Sequence, residues 1–242
     1  MNQLKQKYEH LKSKKLSLNI ERGQPSNLNF DLCNDMINII HNKDIISRSG
    51  IELRNYPGGP AGLKEARELL CKIIGTDPEE TIVGNNSSLK LLVNTLMWAQ
   101  IRGLNNSLKP WSSYDNPKAI VTVPGYDRHF TLLNALGFEM LSVNMTENGP
   151  DVNKIEELVK NDESVKCLVF VPTYSNPTGD TISGEYVRRL AKMKTAALDF
   201  TIFADDAYAV HRLTDEKMKP LNLLTACKES GNENRVYLFG ST

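Results

Sequence analysis

The chain has 242 residues, with a hydrophobic share of 40% and a charged share of 24%, values ordinary for a globular protein large enough to bury a sizeable core. Lysine plus arginine and aspartate plus glutamate both total 29, so the net charge is zero. That balance argues against bulk binding to nucleic acid or an anionic membrane and leaves room for a local anion site.

The four cysteines, Cys33, Cys71, Cys167 and Cys227, are far apart and form no ligand-spaced pair, so they are read as reduced thiols with no metal site expected. The N-terminal stretch MNQLKQKYEHLKSKK has no apolar core of the kind a signal peptide needs. No apolar run approaches a membrane span, and the expected compartment is the cytoplasm.

Leu4, Tyr8 and Leu11 recur at helical spacing and predict an amphipathic helix at the N-terminus. A second helix is predicted over 31–40. The stretch RNYPGGPAG at 54–62 is a loop by its Pro and Gly content, and Pro60 suits the first turn of a helix carrying Leu63, Ala66, Leu69, Leu70 and Ile73.

From there strand and helix patterns alternate. Strands are predicted at 81–84, 118–123, 138–143, 166–171, 201–204 and 236–240, with helices over 87–102, 128–136, 151–160, 184–198 and 221–228. The polar stretch 103–117 interrupts the pattern as a long loop, and its Trp111 and Tyr114 predict that it packs against the core. Alternation of this kind predicts an α/β fold: a mostly parallel sheet with helices on both faces.

In open sheets of this class ligands bind at the carboxyl ends of the strands, so the residues that follow each strand are the candidate site. Gly84-Asn85-Asn86-Ser87-Ser88 opens a helix and offers an anion site; an ordinary Ser or Asn cap is the alternative. After 118–123 comes Tyr126, able to stack on a planar ligand or to be a half-buried aromatic at a helix start. After 166–171 comes PTYSNPTG, a turn-rich loop whose Asn176 could serve a phenolic oxygen; Asn176–Pro177 is a candidate cis bond that would aim the Asn. After 201–204 come Asp205, Asp206, Ala207 and Tyr208, where one acid could face a ligand cation or cap a helix. The last strand is followed by Gly240, Ser241 and Thr242, small residues suited to a close approach.

Taken in order, NYPGGPAGL, PGYDRHF, NPTG, ADDAY and the terminal FGST resemble the fold-type I pyridoxal-phosphate enzymes, and among these the class I aminotransferases of the bacterial aspartate type. The resemblance runs from RGQPS at 22–26 to the last residue. It implies residues 1–50 as a helical arm with part of a small domain, and 51–242 as the cofactor-binding large domain, cut short at its C-terminal end. The family's Schiff-base lysine would follow the FGST strand end, so the chain as given is expected to be inactive alone.

The resemblance also implies roles. Pyridoxal 5′-phosphate is the expected cofactor, with Asp205 facing its pyridine nitrogen and Asp206 the runner-up. Asn176 and Tyr208 would donate hydrogen bonds to its phenolate oxygen. Tyr126 would stack on the ring, and Asn86, Ser87, Ser88 and Ser241 would hold the phosphate. Tyr56 would reach the phosphate of the other subunit, which implies a homodimer with a shared active site. Gly23, with Asn176, would approach the substrate. The implied reaction moves an amino group between an amino acid, aspartate by likeness, and a 2-oxo acid, 2-oxoglutarate by likeness. The same ring contacts would equally serve a lyase or decarboxylase, or a non-catalytic cofactor-sensing regulator. His129 and His211 follow strand ends with no role fixed.

Overall fold

The computed structural model describes residues 2–18, 25–39, 45–55, 59–84, 86–211 and 221–241. The chain divides into two compact units, Met1–Arg54 and Asn55–Thr242.

In the first unit helix α1 spans Asn2–Ser13, and its Leu4, Tyr8 and Leu11 are exposed. The helix predicted over 31–40 is instead a short helix α2, Asn27–Asp31, followed by a 3-10 turn, Asn34–Asn38. Asn and Asp side chains here bond locally and compete with a longer helix: Asn29 Oδ1 accepts from Ser26 N–H at 2.9 Å, and Asn34 donates to Asp31 at 3.2 Å. A single antiparallel bridge joins Ile46 to Glu52.

The second unit begins with helix α3, Lys64–Ile74, capped by Leu63 and closed by Gly75 in the left-handed region. Pro60 therefore lies ahead of the helix, contrary to expectation; Gly62, at φ +88°, turns the chain between them. Nor do residues 81–84 form a strand: among the described residues their one backbone bond to a segment distant in sequence is Val83 N–H to Ala61 O at 2.9 Å. Helix α4, Ser88–Arg102, follows.

Then come strand β1 (Lys118–Val123), helix α5 (Asp127–Ala135), strand β2 (Glu139–Thr146), the two-residue strand β3 (Gly149–Pro150) and helix α6 (Val152–Val159). Strand β4 (Val165–Phe170), helix α7 (Gly184–Lys192), strand β5 (Thr201–Asp206), helix α8 (Leu223–Glu229) and strand β6 (Val236–Gly240) complete the unit. The sheet order is β3-β2-β1-β4-β5-β6, parallel except for the β2–β3 pair.

Alternation along the strands sends successive side chains to opposite faces. Ile120, Leu168, Phe170, Ile202, Ala204 and Val236 pack with α6, α7 and α8. Ala119, Val121, Cys167, Val169, Phe203 and Phe239 pack with α4, α5 and Trp111. Every residue of β4 is buried, as a strand covered on both faces requires. The expected α/β architecture is the one observed.

Two details sharpen it. Helix α7 stops at Lys192, six residues before the expected end, because Arg235 donates to the last carbonyls: Met193 O at 2.6 Å and Ala191 O at 3.2 Å. The 103–117 loop packs as predicted, with Trp111 fully buried and its indole N–H on Asp199 at 2.8 Å. All four cysteines are free, three of them buried, and burial pushes the Cys227 thiol up to about 11.

Candidate active site

Strand order reverses between β1, which leads outward to β2, and β4, which leads the other way to β5 and β6. The carboxyl ends at this switch point form the natural crevice of an open sheet. From β1 the chain passes through Pro124 and Gly125 to Tyr126, which caps α5. A Cβ on Gly125 would collide with the Thr122 carbonyl, so the turn admits only glycine. From β4 it enters the 171–182 loop with Asn176, and from β5 it reaches Asp205, Asp206 and Tyr208. Beyond β6 lies Ser241. Gly240 permits a close approach of this strand to α3, since a Cβ there would strike the Ile74 side chain.

Asp205 is the centre of the arrangement. It shares the face of Phe203, toward α4 and α5, and is 3% exposed. His129 on α5 donates from Nε2 to Asp205 Oδ2 at 3.1 Å, and the imidazole is itself buried. The other oxygen, Oδ1, is buried with no hydrogen-bond partner. A buried carboxylate oxygen without a partner is costly, so Oδ1 is an acceptor left open at this edge. The Tyr126 ring meets His129 edge-on, centroids 5.2 Å apart, which joins the β1 loop to the same cluster.

Asp206 turns to the opposite face, and its Oδ1 too is buried and single. Burial pushes its carboxyl upward; the nearby Thr173 hydroxyl opposes this and the Asp205 charge adds to it. Asn176 is half-buried, and the Asn176–Pro177 bond is cis, the form for which the sequence marked it as a candidate. Tyr208 lies half-buried in the turn after β5, its ring edge-on to His211 at 5.4 Å.

At α4 the cap alternative is realised: Ser87 Oγ accepts from Lys90 N–H at 3.3 Å. The cap leaves the dipole and first-turn N–H groups of a 15-residue helix with Asn86 and Ser88 beside them, compatible with an anion as well. The helix packs on β5 and β6.

Side-chain contact thus ties Asp205, His129 and Tyr126 directly. Asn176, Tyr208 and Ser241 share the same sheet edge, but among the described residues their side chains make no hydrogen bond to that cluster, and Gly23, Tyr56 and Thr242 lie outside the described residues. His129 is the residue that sequence reasoning left without a role. The available signal was a histidine in the first turn after β1; its partner became visible only once β1 and β5 were placed on the same sheet.

A family model described as aspartate amino-transferase matches residues 1–242. The chain belongs to the aspartate aminotransferase family. It is 41% identical over 239 residues to the aspartate aminotransferase of Corynebacterium glutamicum, covering 99% of this chain and 55% of that protein. A crystal structure of an aspartate transaminase from the same organism superposes with a TM-score of 0.90 at 40% identity, covering all of this chain and 56% of that one. The α-aminoadipate aminotransferase of Thermus thermophilus, complexed with N-(5′-phosphopyridoxyl)-L-leucine, shares the fold at a TM-score of 0.66 and 20% identity. This aspartate aminotransferase family chain spans about half the length of the curated relatives it matches. Among its described residues no helix is long and apolar enough to cross a membrane.

Proposed function

We propose that the chain forms part of a pyridoxal 5′-phosphate-dependent aminotransferase that moves an amino group between an amino acid, aspartate by likeness, and a 2-oxo acid, 2-oxoglutarate by likeness. The observation that carries this is the buried Asp205 carboxylate, held at one oxygen by His129 and single at the other. Such an oxygen fits the N–H of a protonated pyridine ring. Pyridoxal phosphate, when bound, supplies an electron sink for the charge left as the substrate's Cα–H breaks.

The chain's own residues supply the orientation and the charge. Asp205 keeps the ring nitrogen protonated, because an anion in a dry site favours the cationic partner. His129 fixes the carboxylate plane. Asn176 and Tyr208 donate hydrogen bonds to the phenolic oxygen, and Tyr126, braced edge-on by His129, stacks on the ring. Asn86, Ser87, Ser88 and Ser241 with the α4 N-terminus hold the phosphate. By the family likeness alone, Gly23 would serve the substrate carboxylate and Tyr56 the phosphate of the other subunit in a cytoplasmic homodimer.

Titration of the chain with pyridoxal 5′-phosphate, followed by absorbance, tests this. Saturable binding that Asp205→Ala abolishes is expected; equal binding by that variant would overturn the assignment. A protein extended to the relatives' full length is expected to transfer the amino group of aspartate to 2-oxoglutarate.

A further inference from the structure

Of the single buried oxygens at the carboxyl edge, the function proposed above uses Asp205 Oδ1 and leaves Thr173 Oγ1 and Asp206 Oδ1. Their position is informative. The β4–β5 register ends with Phe170 opposite Ala204. On its other side β5 stays paired through Asp205 with Phe239 and Asp206 with Gly240. So Asp205 is anchored to β6 and α5, and the β4 side is open at that level.

The loop that leaves β4 is closed on itself. Ile182 N–H donates to Pro172 O at 2.9 Å, Ser175 N–H to Asp180 O at 2.7 Å and Gly179 N–H to Ser175 O at 2.6 Å. Tyr174 N–H adds a bond to Thr181 Oγ1 at 3.0 Å. Among the described residues, no completed hydrogen bond joins residues 173–182 to 205–211. The unit carrying Asn176 is internally tied, but its tie to the strand carrying Asp205 is missing.

Thr173 and Asp206 sit at that seam, 5% exposed and half-buried respectively. The hydroxyl is near enough to oppose the upward push on the carboxyl, yet neither Thr173 Oγ1 nor Asp206 Oδ1 completes a bond. Two buried polar atoms without partners cost stability until they meet.

We propose that Thr173 and Asp206 form a latch: a hydroxyl-to-carboxyl hydrogen bond across the ends of β4 and β5 that closes when the site is filled and sets Asn176 in place relative to Asp205. The latch rests on the proposed function and deepens it at the same site. Both are positioning residues, acting through Asn176.

The test is equilibrium titration of the 242-residue chain with pyridoxal 5′-phosphate, alongside thermal unfolding of each variant without ligand. Thr173→Val and Asp206→Ala are each expected to weaken binding about fivefold, as loss of one buried hydrogen bond does, and the double variant about fivefold again in total instead of about twenty-five-fold. Thr173→Ser restores the hydroxyl and the affinity. Asn176→Ala weakens binding about tenfold in the parent chain and little further in Thr173→Val, because the latch works through it. Hydrogen exchange over residues 174–180 is expected to slow on loading in the parent and not in Thr173→Val; Thr173→Ala serves if the valine variant does not fold. Folded single variants that bind like the parent, or effects that multiply independently, would overturn the latch and leave the function standing. A parent chain that does not bind the ligand would overturn both.

Discussion

The two ends of the central strands treat buried charge in opposite ways. At the amino end, Lys166 is 1% exposed and donates to Asp199 Oδ1 at 3.0 Å. The other Asp199 oxygen accepts from Ser107 at 2.6 Å and from Trp111 at 2.8 Å, and the Tyr114 ring covers the ammonium at 3.6 Å. Both Asp199 oxygens are occupied, and three of the donors and covering groups come from the 103–117 loop. At the carboxyl end Asp205 and Thr173 are buried and Asp206 is half-buried, and each keeps a buried oxygen without a partner. The same sheet thus carries a satisfied network, which fastens a loop, and at its other end a set of buried oxygens without partners, where the proposed site lies. Satisfaction of polar groups, more than burial or charge, separates the structural end from the end proposed to bind the cofactor.

That contrast can be broken or sharpened by substitution. The largest effect is expected at the amino end. Asp199→Ala leaves Lys166 buried without its anion and should cost about 3–5 kcal/mol of stability, read by chemical denaturation, with cofactor affinity of the folded fraction unchanged. At the carboxyl end the order inverts. Asp205→Asn should shift stability by less than about 1 kcal/mol while weakening pyridoxal phosphate binding roughly thirtyfold, a charged hydrogen bond's worth. Equal stability losses at the two sites would erase the distinction.

His129→Gln should come next, with a loss of about fivefold in affinity as one hydrogen bond to Asp205 is weakened. Ser87→Ala removes the α4 cap and should cost about 1 kcal/mol of stability, seen as a lower unfolding temperature. The smallest effect concerns pH. Asp206 is raised from 3.8 by burial, so the unfolded chain ionises it first. Its contribution is therefore full below that value and is lost as pH rises through the folded value. Asp206→Asn should flatten this part of the stability profile above about pH 4; an unchanged slope would mean that the group is not desolvated.

The α/β pattern was legible because it is carried by local signals. Six-residue stretches rich in apolar residues such as β1 and β4, and capped helices such as α4 and α6, announce themselves in any context. The failures lie where a neighbour decides. Residues 81–84 look like a strand but find no ladder, and α7 ends early because Arg235, more than forty residues on, takes its carbonyls. Most candidate site residues were named for a local reason, their place just after a strand. The partner of each was not readable, since hydrogen bonds such as His129 to Asp205 span 76 residues.

By itself, then, the order of residues determined the alternation of strands and helices, the loops that end each strand and the acids, amides and hydroxyls those loops present. These follow from backbone propensity and side-chain periodicity, which act over a few neighbours. Tertiary structure decided the strand order that brings β1, β4, β5 and β6 side by side, which acid faces α5, and which buried oxygens stay single. Those depend on packing and on the completion of hydrogen bonds between distant segments, and no short window of sequence contains both partners.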